Sequence, residues 1–287
     1  MSGCNLCGET ANQAVFTVKG YHLVECTGCG LAYIANQPSD AELARIYSGS
    51  EGYHAALKDP ASTQWAVITR TAQAHLAFMA QVPGKGRLLD VGCSTGQFLN
   101  LARQAGYDVS GAEFSDDSRT FAANHFGLPV EPGSIHDTSL AAASLDLITK
   151  FDVIEHVRDP LSDMAAAYRL LKPGGWFALS TPNIDGLFPR LSRPLANRLN
   201  YWPHPEPPYH LYQYSVRTLA ASLTKAGFRC GPVAHRRIPL DYTFGALSTL
   251  LRSPKRAAYA ALFAPTALIG PWIGQGDWFY LAAQKPA

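Results

Sequence analysis

The segment Asp90 to Gly96, DVGCSTG, combines an acidic side chain with a glycine-bracketed turn. Gly92 and Gly96 carry no side chain, so a ligand can approach the backbone closely. Gln97 then begins a helical pattern, and the free N–H groups of a first helical turn would face the same ligand. A dinucleotide site would need G-x-G-x-x-G to hold a pyrophosphate, whereas Asp90 would repel phosphates and could pair with an amino group. The spacing therefore indicates a ligand that carries an ammonium group and a carboxylate.

Four cysteines near the start of the chain have the spacing of a metal site. Cys4 and Cys7 form one C-x-x-C pair, and Cys26 and Cys29 form a second, with eighteen residues between the pairs. This pattern is typical of four-thiolate zinc ribbons. The alternative is a disulfide within each pair, but such disulfides are strained and a cytosolic enzyme would keep them reduced. We expect a structural zinc ion that supplies much of the folding energy of this short segment.

The elements around the glycine turn follow an α/β pattern. Arg87 to Val91 is apolar enough for a buried parallel strand. A second strand over Tyr107 to Ala112 ends at Glu113, about 20 residues after the turn, where an acid can accept both hydroxyls of a ribose. The chain has 287 residues, of which 47% are hydrophobic. That is ample for one large domain with a small appendage.

DVGCSTG resembles motif I of the class I S-adenosylmethionine-dependent methyltransferases, and later segments follow that family in order. They are SLDLITKFDVIEHVRDP (144–160), LLKPGGWFALSTPN (170–183) and HLYQYSVRTLAASLTKAGF (210–228). The resemblance covers roughly residues 70 to 285. It implies an α/β fold, a doubly wound Rossmann-like sheet whose last strand is antiparallel. The expected organisation is a zinc ribbon (1–36), a helical cover (37–80) and a methyltransferase domain (81–287) with a substrate-side insertion (183–214).

The resemblance implies S-adenosyl-L-methionine as cofactor. Its methionine end is expected at Asp90 and the glycine turn, its ribose at Glu113, and its adenine against Phe114 and the Ser134-Ile135 backbone. The residues expected to bind it are Asp90, Gly92, Cys93, Ser94, Gly96, Glu113, Phe114, Ser134, Ile135 and Phe151.

Two segments are candidates for the acceptor side. If Phe151 to His156 is helical, Asp152, Glu155 and His156 lie on one face. Three interpretations are open, in this order: a structural pair, a general base at His156, or a divalent metal site of the kind that the resemblance to ubiquinone-pathway O-methyltransferases allows. That family carries Glu where this chain has Asp152, which weakens the metal interpretation.

The second acceptor-side segment is a proline-rich insertion after the fifth strand, Asn183 to Tyr214. Its prolines predict a stiff loop without regular elements, with rings and imidazoles presented outward. Tyr209 and His210 just precede a late helix and resemble a Tyr and a His that approach the sugar in deoxysugar methyltransferases; the alternative is that His210 anchors the helix. The candidate catalytic residues are therefore His156, His210 and Tyr209.

The charge is unevenly distributed along the chain. Residues 1–186 contain 12 Lys and Arg against 19 Asp and Glu, whereas residues 187–287 contain 12 against 3. A basic half indicates an anionic substrate or surface. Nucleic acid is not expected, because the arginines are scattered rather than clustered. A small molecule with an anionic handle, such as a nucleotide-linked sugar or a lipid-linked phosphate, explains the asymmetry more simply.

Membrane segments and leaders are not expected. The first residues lack the charged start and apolar stretch of a signal peptide, so we expect a cytoplasmic protein. The uncharged run Ala257 to Gly274 is interrupted by Pro265 and Pro271, which predicts a buried helix and a loop. The alternative is contact with a membrane surface, because Arg252, Lys255 and Arg256 precede this run.

The function expected is O-methylation of a hydroxyl on a sugar or another small metabolite. N- or C-methylation of a natural product and RNA methylation are the enzymatic alternatives. A non-catalytic zinc-ribbon module that retains the cofactor fold is the alternative from another class.

Overall fold

The computed structural model describes residues 3–39, 41–43 and 57–287. Residues 44–56, a large part of the expected helical cover, lie outside the described residues. The strands are β1 (Asn12–Val18), β2 (Tyr21–Cys26), β3 (Ala32–Ile34), β4 (Arg87–Val91), β5 (Asp108–Glu113), β6 (Val130–Pro132), β7 (Leu145–Phe151), β8 (Leu171–Pro182), β9 (Tyr212–Gln213), β10 (Arg229–Arg236) and β11 (Trp278–Gln284).

The helices are α1 (Thr63–Met79), α2 (Gln97–Gln104), α3 (Asp116–Phe126), α4 (Pro160–Leu170), α5 (Leu187–Ser192), α6 (Ala196–Leu199), α7 (Val216–Lys225), α8 (Leu240–Phe244), α9 (Leu247–Leu251) and α10 (Pro254–Ile269). Short 3-10 helices span Ile154–His156, Arg193–Leu195 and Gly270–Ile273.

The larger sheet has the order β10-β11-β8-β7-β4-β5-β6. Strands β4 to β8 run parallel, and β11 pairs antiparallel with both β8 and β10. Helices cover both faces: α1 and α2 bury Phe78 and Leu99 on one face, while α4 and α7 bury Met164 and Leu223 on the other. The doubly wound sheet with an antiparallel last strand is therefore confirmed.

The smaller sheet has the order β1-β2-β3-β9 and joins the N-terminal segment to the chain's later part. Its third strand pairs with β9, in the register Tyr33↔Tyr212. One face contributes Tyr33 and Tyr212 to a core cluster shared with the larger sheet. The other face packs Phe16 and Ile34 against Trp202. The cysteine segment is thus built into the molecule from both sides.

The expectation of a loop without regular elements over 183–214 is wrong at both ends, because helices form in its first half and Tyr212–Gln213 forms β9. The chain forms α5, a 3-10 turn and α6 between residues 187 and 199. Pro194 lies in the first turn of its helical segment, where the missing N–H has no partner to lose. From Tyr201 to Leu211 the chain is irregular, as expected.

The C-terminal helices form a separate small core over α5. Phe188 of α5 packs with Phe244, Tyr259 and Phe263. Pro265 does not end α10, which continues to Ile269. None of the helices in the described part of the chain has the length and apolar character needed to cross a bilayer.

Candidate active site

The glycine turn after β4 has a backbone that only glycine accommodates. Gly92 and Gly96 have φ of +79° and +83°, in the left-handed region. A Cβ on Gly92 would lie 2.6 Å from a methyl group of Val153, and one on Gly96 would lie 2.7 Å from a methyl group of Leu128. Gly96 then caps α2, which begins at Gln97 as the sequence predicts. The turn therefore combines an unusual backbone with close packing.

The Glu113 carboxylate holds two loops together at the carboxyl ends of β4 and β5. The backbone N–H of Ser94 donates to its Oε2 and the backbone N–H of Ser115 donates to its Oε1, both at 2.8 Å. Bonds to a charged acceptor are stronger than neutral ones. Each carboxylate oxygen keeps a lone pair for a further donor, so Glu113 can still accept from ligand hydroxyls.

Asp90 is buried beside this turn. Its Oδ1 accepts a hydrogen bond of 2.7 Å from the Thr149 hydroxyl of the adjacent strand β7. Burial raises the pKa of Asp90 to about 7, and the charge of Glu113 adds to this while the Thr149 bond opposes it. A cationic group brought next to Asp90 would favour its ionised form. The site is thus matched to an ammonium group rather than to an anion.

The remaining predicted cofactor residues differ in accessibility. The ring of Phe114 is 84% exposed at the end of β5, whereas the side chain of Ile135 is fully buried, so only its backbone could meet a ligand. Ser134 donates its N–H and hydroxyl to Asp137, which fixes this turn from within. Phe151 is buried and stacks on the ring of His75, with centroids 4.3 Å apart.

Cys93 lies under the same turn with its thiol buried. A Cβ on Gly111 of β5 would come within 2.7 Å of the Cys93 sulfur. The side chain of Cys93 is therefore packed into the sheet, and its backbone forms part of the turn.

Asp152 does not share a helical face with Glu155 and His156, and that expectation is wrong. Its φ is +56° and the 3-10 helix begins only at Ile154. Its Oδ1 accepts bonds from the Ser180 hydroxyl at 2.7 Å and from the Trp278 indole at 2.8 Å. Burial raises the pKa of Asp152 to about 6, against the effect of these two donors.

The carboxylate of Glu155 and the two candidate histidines converge. Potential ligand atoms of Glu155, His156 and His210 all lie within 4.8 Å of one another, and the two imidazole centroids are 4.8 Å apart. Burial raises the pKa of Glu155 well above its usual range, with the charge of Asp152 adding to it. Burial lowers the pKa of His156 and, more strongly, that of His210. At neutral pH both imidazoles are therefore uncharged.

The tautomer of His156 follows from its neighbour. Its Nδ1 lies 2.9 Å from the backbone carbonyl of Tyr209. A carbonyl can only accept, so Nδ1 carries the proton and Nε2 keeps a lone pair. The prediction that the imidazoles of the proline-rich loop point outward is wrong, because His204 and His210 are 4% and 9% exposed. Tyr209 is the exposed ring of this group.

Sequence patterns alone missed the residues that hold these groups in place. Thr149, Ser180 and Trp278 each donate to a buried aspartate. Leu211 donates its N–H to the backbone carbonyl of Glu155 at 2.8 Å and accepts from the N–H of Ile34 at 2.9 Å. The acceptor-side loop is thus fixed to the 3-10 helix after β7 on one side and to β3 on the other.

The four N-terminal cysteines form a compact cluster. Their sulfurs all lie within 4.8 Å of one another, with Cys4 and Cys29 at 3.5 Å and Cys7 and Cys26 at 3.5 Å. All four are free cysteines in the structure, and none of them forms a disulfide. Metal–sulfur bonds of about 2.3 Å in a tetrahedron place sulfurs roughly 3.8 Å apart. The cluster therefore fits a four-coordinate metal ion.

Comparison with known proteins agrees with this geometry. A family model described as a methyltransferase domain matches residues 65–231. The ubiquinone biosynthesis O-methyltransferase of Bordetella avium is 39% identical over 103 residues, which cover 34% of this chain and 43% of that protein. The chain therefore matches less than half of the length of that relative.

Solved structures share the fold at low sequence identity. A SAM-dependent methyltransferase from Thermotoga maritima has a TM-score of 0.53 and 20% identity, covering 77% of this chain and 93% of that one. The cyclase SpnF has a TM-score of 0.56 and 17% identity, covering 88% and 98%. A cyclase on the same architecture shows that the fold by itself does not set the reaction. With its motif I turn, its sheet order and the match over more than half of its length, the chain belongs to the methyltransferase-domain family of the class I, S-adenosylmethionine-dependent type.

Proposed function

We propose that the protein transfers a methyl group from S-adenosylmethionine to a hydroxyl oxygen of a small molecule with an anionic handle. The observation that carries this proposal is that two groups of polar residues lie at the carboxyl ends of strands in the larger sheet. The glycine turn with Asp90 and Glu113 ends β4 and β5, and the uncharged pair His156 and His210 gathers at the end of β7. Ligands of open α/β sheets bind at this edge.

Two carboxylates and a set of backbone N–H groups would bind the cofactor. Asp90 would bind the ammonium of the methionine end, the N–H groups at the start of α2 would face its carboxylate, and Glu113 would accept from the ribose. Phe114 offers an open ring for adenine, with the Ser134-Ile135 turn at its edge. S-adenosylmethionine supplies a methyl group on a positively charged sulfur.

On the acceptor side, His156 is the proposed general base. Its Nε2 has the lone pair and its lowered pKa keeps it unprotonated at neutral pH. It would take the hydroxyl proton as the oxygen attacks, and the imidazolium so formed would favour the ionised form of the nearby Glu155 carboxyl. Alignment of the two reactants supplies most of the acceleration in such a displacement, and base catalysis adds to it. His210 and Tyr209 would position the acceptor.

Oxygen as the acceptor atom is supported by the O-methyltransferase named among the relatives. An anionic handle is supported by the 12 basic and 3 acidic residues of 187–287.

The second proposed ligand is a structural zinc ion at Cys4, Cys7, Cys26 and Cys29. A backbone turn shapes each C-x-x-C loop. The Gly8 N–H donates to the Cys4 carbonyl in the first loop, and the Gly30 N–H donates to the Cys26 carbonyl in the second. Four thiolates in a closed site are typical of structural zinc.

Cofactor binding is tested by calorimetric titration of the native protein with S-adenosylhomocysteine. We expect binding by the native protein and a loss of affinity of at least about tenfold in Glu113→Ala, which removes a charge-assisted acceptor. Glu131→Ala is the matched control, because that glutamate on β6 bonds only to Ser139 in the described structure. No binding by the native protein, or equal binding by Glu113→Ala, would count against the proposal.

The acceptor class is tested with labelled cofactor and an extract separated into nucleic-acid, lipid and small-molecule pools. We expect the label in the small-molecule pool. Label in nucleic acid alone would identify an RNA enzyme, and no label in any pool would favour a binding module. With an acceptor in hand, His156→Ala should lower turnover by about 10² to 10⁴ at unchanged cofactor affinity. If that variant loses folding or cofactor affinity instead, His156 is structural.

A further inference from the structure

Exposed apolar side chains are concentrated on α9, α10 and the 3-10 helix that follows, and α10 contacts each of the other two. We call this surface the C-terminal apolar face. Its members are Leu247, Leu251, Leu262, Ile269, Trp272 and Ile273, each more than half exposed. Trp272 is 89% exposed, the largest fraction among them. Residues 257–276 contain no charged side chain.

Helix α10 is apolar on its outer side as well as on its inner side. Tyr259 and Phe263 face the core over α5. Leu262, Pro265 and Ile269 follow one another at spacings of three and four and are exposed. A helix on the surface of a water-soluble domain normally has polar residues on that face. An exposed apolar surface of this extent marks an interaction site.

Basic side chains border the C-terminal apolar face. Arg252, Lys255 and Arg256 are exposed at the start of α10. A helix with an apolar face, adjoining cations and a tryptophan at its far end has the features of a segment that lies in the interface of an anionic bilayer. In segments of this kind the apolar side chains enter the boundary between headgroups and acyl chains, and exposed cations meet lipid phosphates.

We propose that the C-terminal apolar face docks the protein on the surface of an anionic lipid bilayer. A second copy of the chain fits this face less well. Across a twofold axis it would bring the basic border against a region, 187–287, that has only three acidic residues, of which Asp277 is buried. Lipid phosphates provide the negative charge that this region lacks.

The docked orientation brings the acceptor side close to the bilayer. The hydroxyl of Tyr242 on α8 donates to Glu206 of the proline-rich loop at 3.0 Å. The guanidinium of Arg256 on α10 lies over the ring of Tyr201 in the same loop, so helix α10 of the face contacts the loop that carries His210. Docking itself does not depend on methyl transfer.

The test is flotation of the full chain with lipid vesicles, compared between phosphatidylcholine alone and phosphatidylcholine mixed with phosphatidylglycerol. We expect the native protein to float with the anionic vesicles only, and to be released by high salt because the Debye length shortens. Leu262→Asp and Trp272→Asp should each lower the bound fraction at least about tenfold, since each removes buried apolar area and adds like charge.

Val67→Asp is the matched control, because Val67 is a half-exposed apolar residue on α1, away from the face. It should float like the native protein, and thermal unfolding followed by circular dichroism should show that all variants are folded. A native protein that stays at the bottom of the gradient overturns the proposal, and so does a Leu262→Asp variant that floats as well as the native. Sedimentation velocity tests whether a second copy of the chain binds the face instead. A native protein that does not float but forms a dimer, which Leu262→Asp dissociates, would show that the face is a dimer interface and would overturn the proposal.

Discussion

In the seven-stranded sheet the central strands are covered by helices on both faces, whereas the four-stranded sheet has its faces covered by parts of the chain far away in sequence. Leu88 and Leu99 come from adjacent strand and helix in the larger sheet. In the smaller sheet, Ile34 of β3 packs against Trp202, and Tyr33 pairs in register with Tyr212. The cofactor side therefore rests on local pairings and the acceptor side on distant ones.

This difference makes the cysteine cluster part of the acceptor side. Cys26 ends β2, and β3 follows directly after Cys29. Through β3, the cluster fixes Leu211 and hence the backbone next to His210. A change at the cysteines should reach the acceptor side before it reaches the glycine turn.

Removal of the proposed zinc gives the largest expected effect. Structural zinc contributes about 10 kcal/mol or more to the folding of small metal modules. Cys26→Ser should raise amide hydrogen exchange at least about hundredfold, or roughly 3 kcal/mol, in β3 and β9. The amides of β4 should keep their protection, as read by mass spectrometry of the exchanged protein.

Cys230→Ser is the matched control, since this cysteine lies outside the cluster. Its thiol donates to the Ala220 carbonyl and contacts the Thr224 hydroxyl, both in its own region. It should leave β3 and β9 protected, and the native protein should contain one zinc ion per chain by elemental analysis. Equal loss of protection in β4 and β9 of Cys26→Ser would show that the two sheets unfold as one unit, which would remove the distinction drawn above.

The glycine turn provides the next largest effect, on the cofactor side. In Gly92→Ala a left-handed backbone is strained and the new methyl group meets Val153. We expect a loss of about 2–4 kcal/mol in the free energy of unfolding, from strain and overpacking together, with weakened S-adenosylhomocysteine binding. Urea unfolding and calorimetry measure the two effects.

Gly106→Ala separates backbone strain from packing. Gly106 has a φ of +92°, but a Cβ there has nothing within 4 Å. This variant should lose only about 1–2 kcal/mol and bind the ligand normally. If both variants lose the same amount, the contact with Val153 contributes nothing and the turn needs only a left-handed backbone.

The sequence predicts the cofactor side well because the relevant signals are local. An apolar strand, a turn with two glycines and a helix start all lie within Arg87 to Gln97. Sheet order and the antiparallel β11 follow from the family resemblance. The cysteine spacing likewise predicts the cluster, because each C-x-x-C pair lies within one short loop.

The acceptor side could not be predicted in the same way. The ring of His204 lies beside Trp202, which packs against Ile34 of β3 near the start of the chain. The N–H of Ile34 also donates to Leu211, next to His210. Aspartate adopts the left-handed region more often than most residues, but the donor Trp278 that holds Asp152 comes from the last strand, far away in sequence. Pairing across such distances is set by the whole fold.

Replacing either of two buried histidines should give the smallest change in the free energy of unfolding. One histidine lies at the larger sheet and the other in the acceptor loop, so they allow a direct comparison of the two regions. His75 of α1 has its Nδ1 2.8 Å from the hydroxyl of Tyr280 in the larger sheet. His204, in the acceptor loop, has both ring nitrogens buried without a hydrogen-bond partner among the described residues. Burial lowers the pKa of each to about 3, and for His75 the charge of Arg236 adds to this.

Replacement by phenylalanine should therefore act in opposite directions at pH 7. His75→Phe leaves the Tyr280 hydroxyl unpartnered and should cost about 1–3 kcal/mol, whereas His204→Phe removes two unpartnered polar atoms and should stabilise by about 1 kcal/mol. On acidification, the unfolded chain binds a proton at each histidine below about pH 6.5 and the folded chain does so only near pH 3. Each histidine thus lowers stability by about 1.4 kcal/mol per pH unit in that window. Between pH 6.5 and 5, both variants should lose less free energy of unfolding than the native protein, as measured by urea unfolding. If His204→Phe is instead destabilised at pH 7, this imidazole has a hydrogen-bond partner. The acceptor loop would then be as fully hydrogen-bonded as the larger sheet.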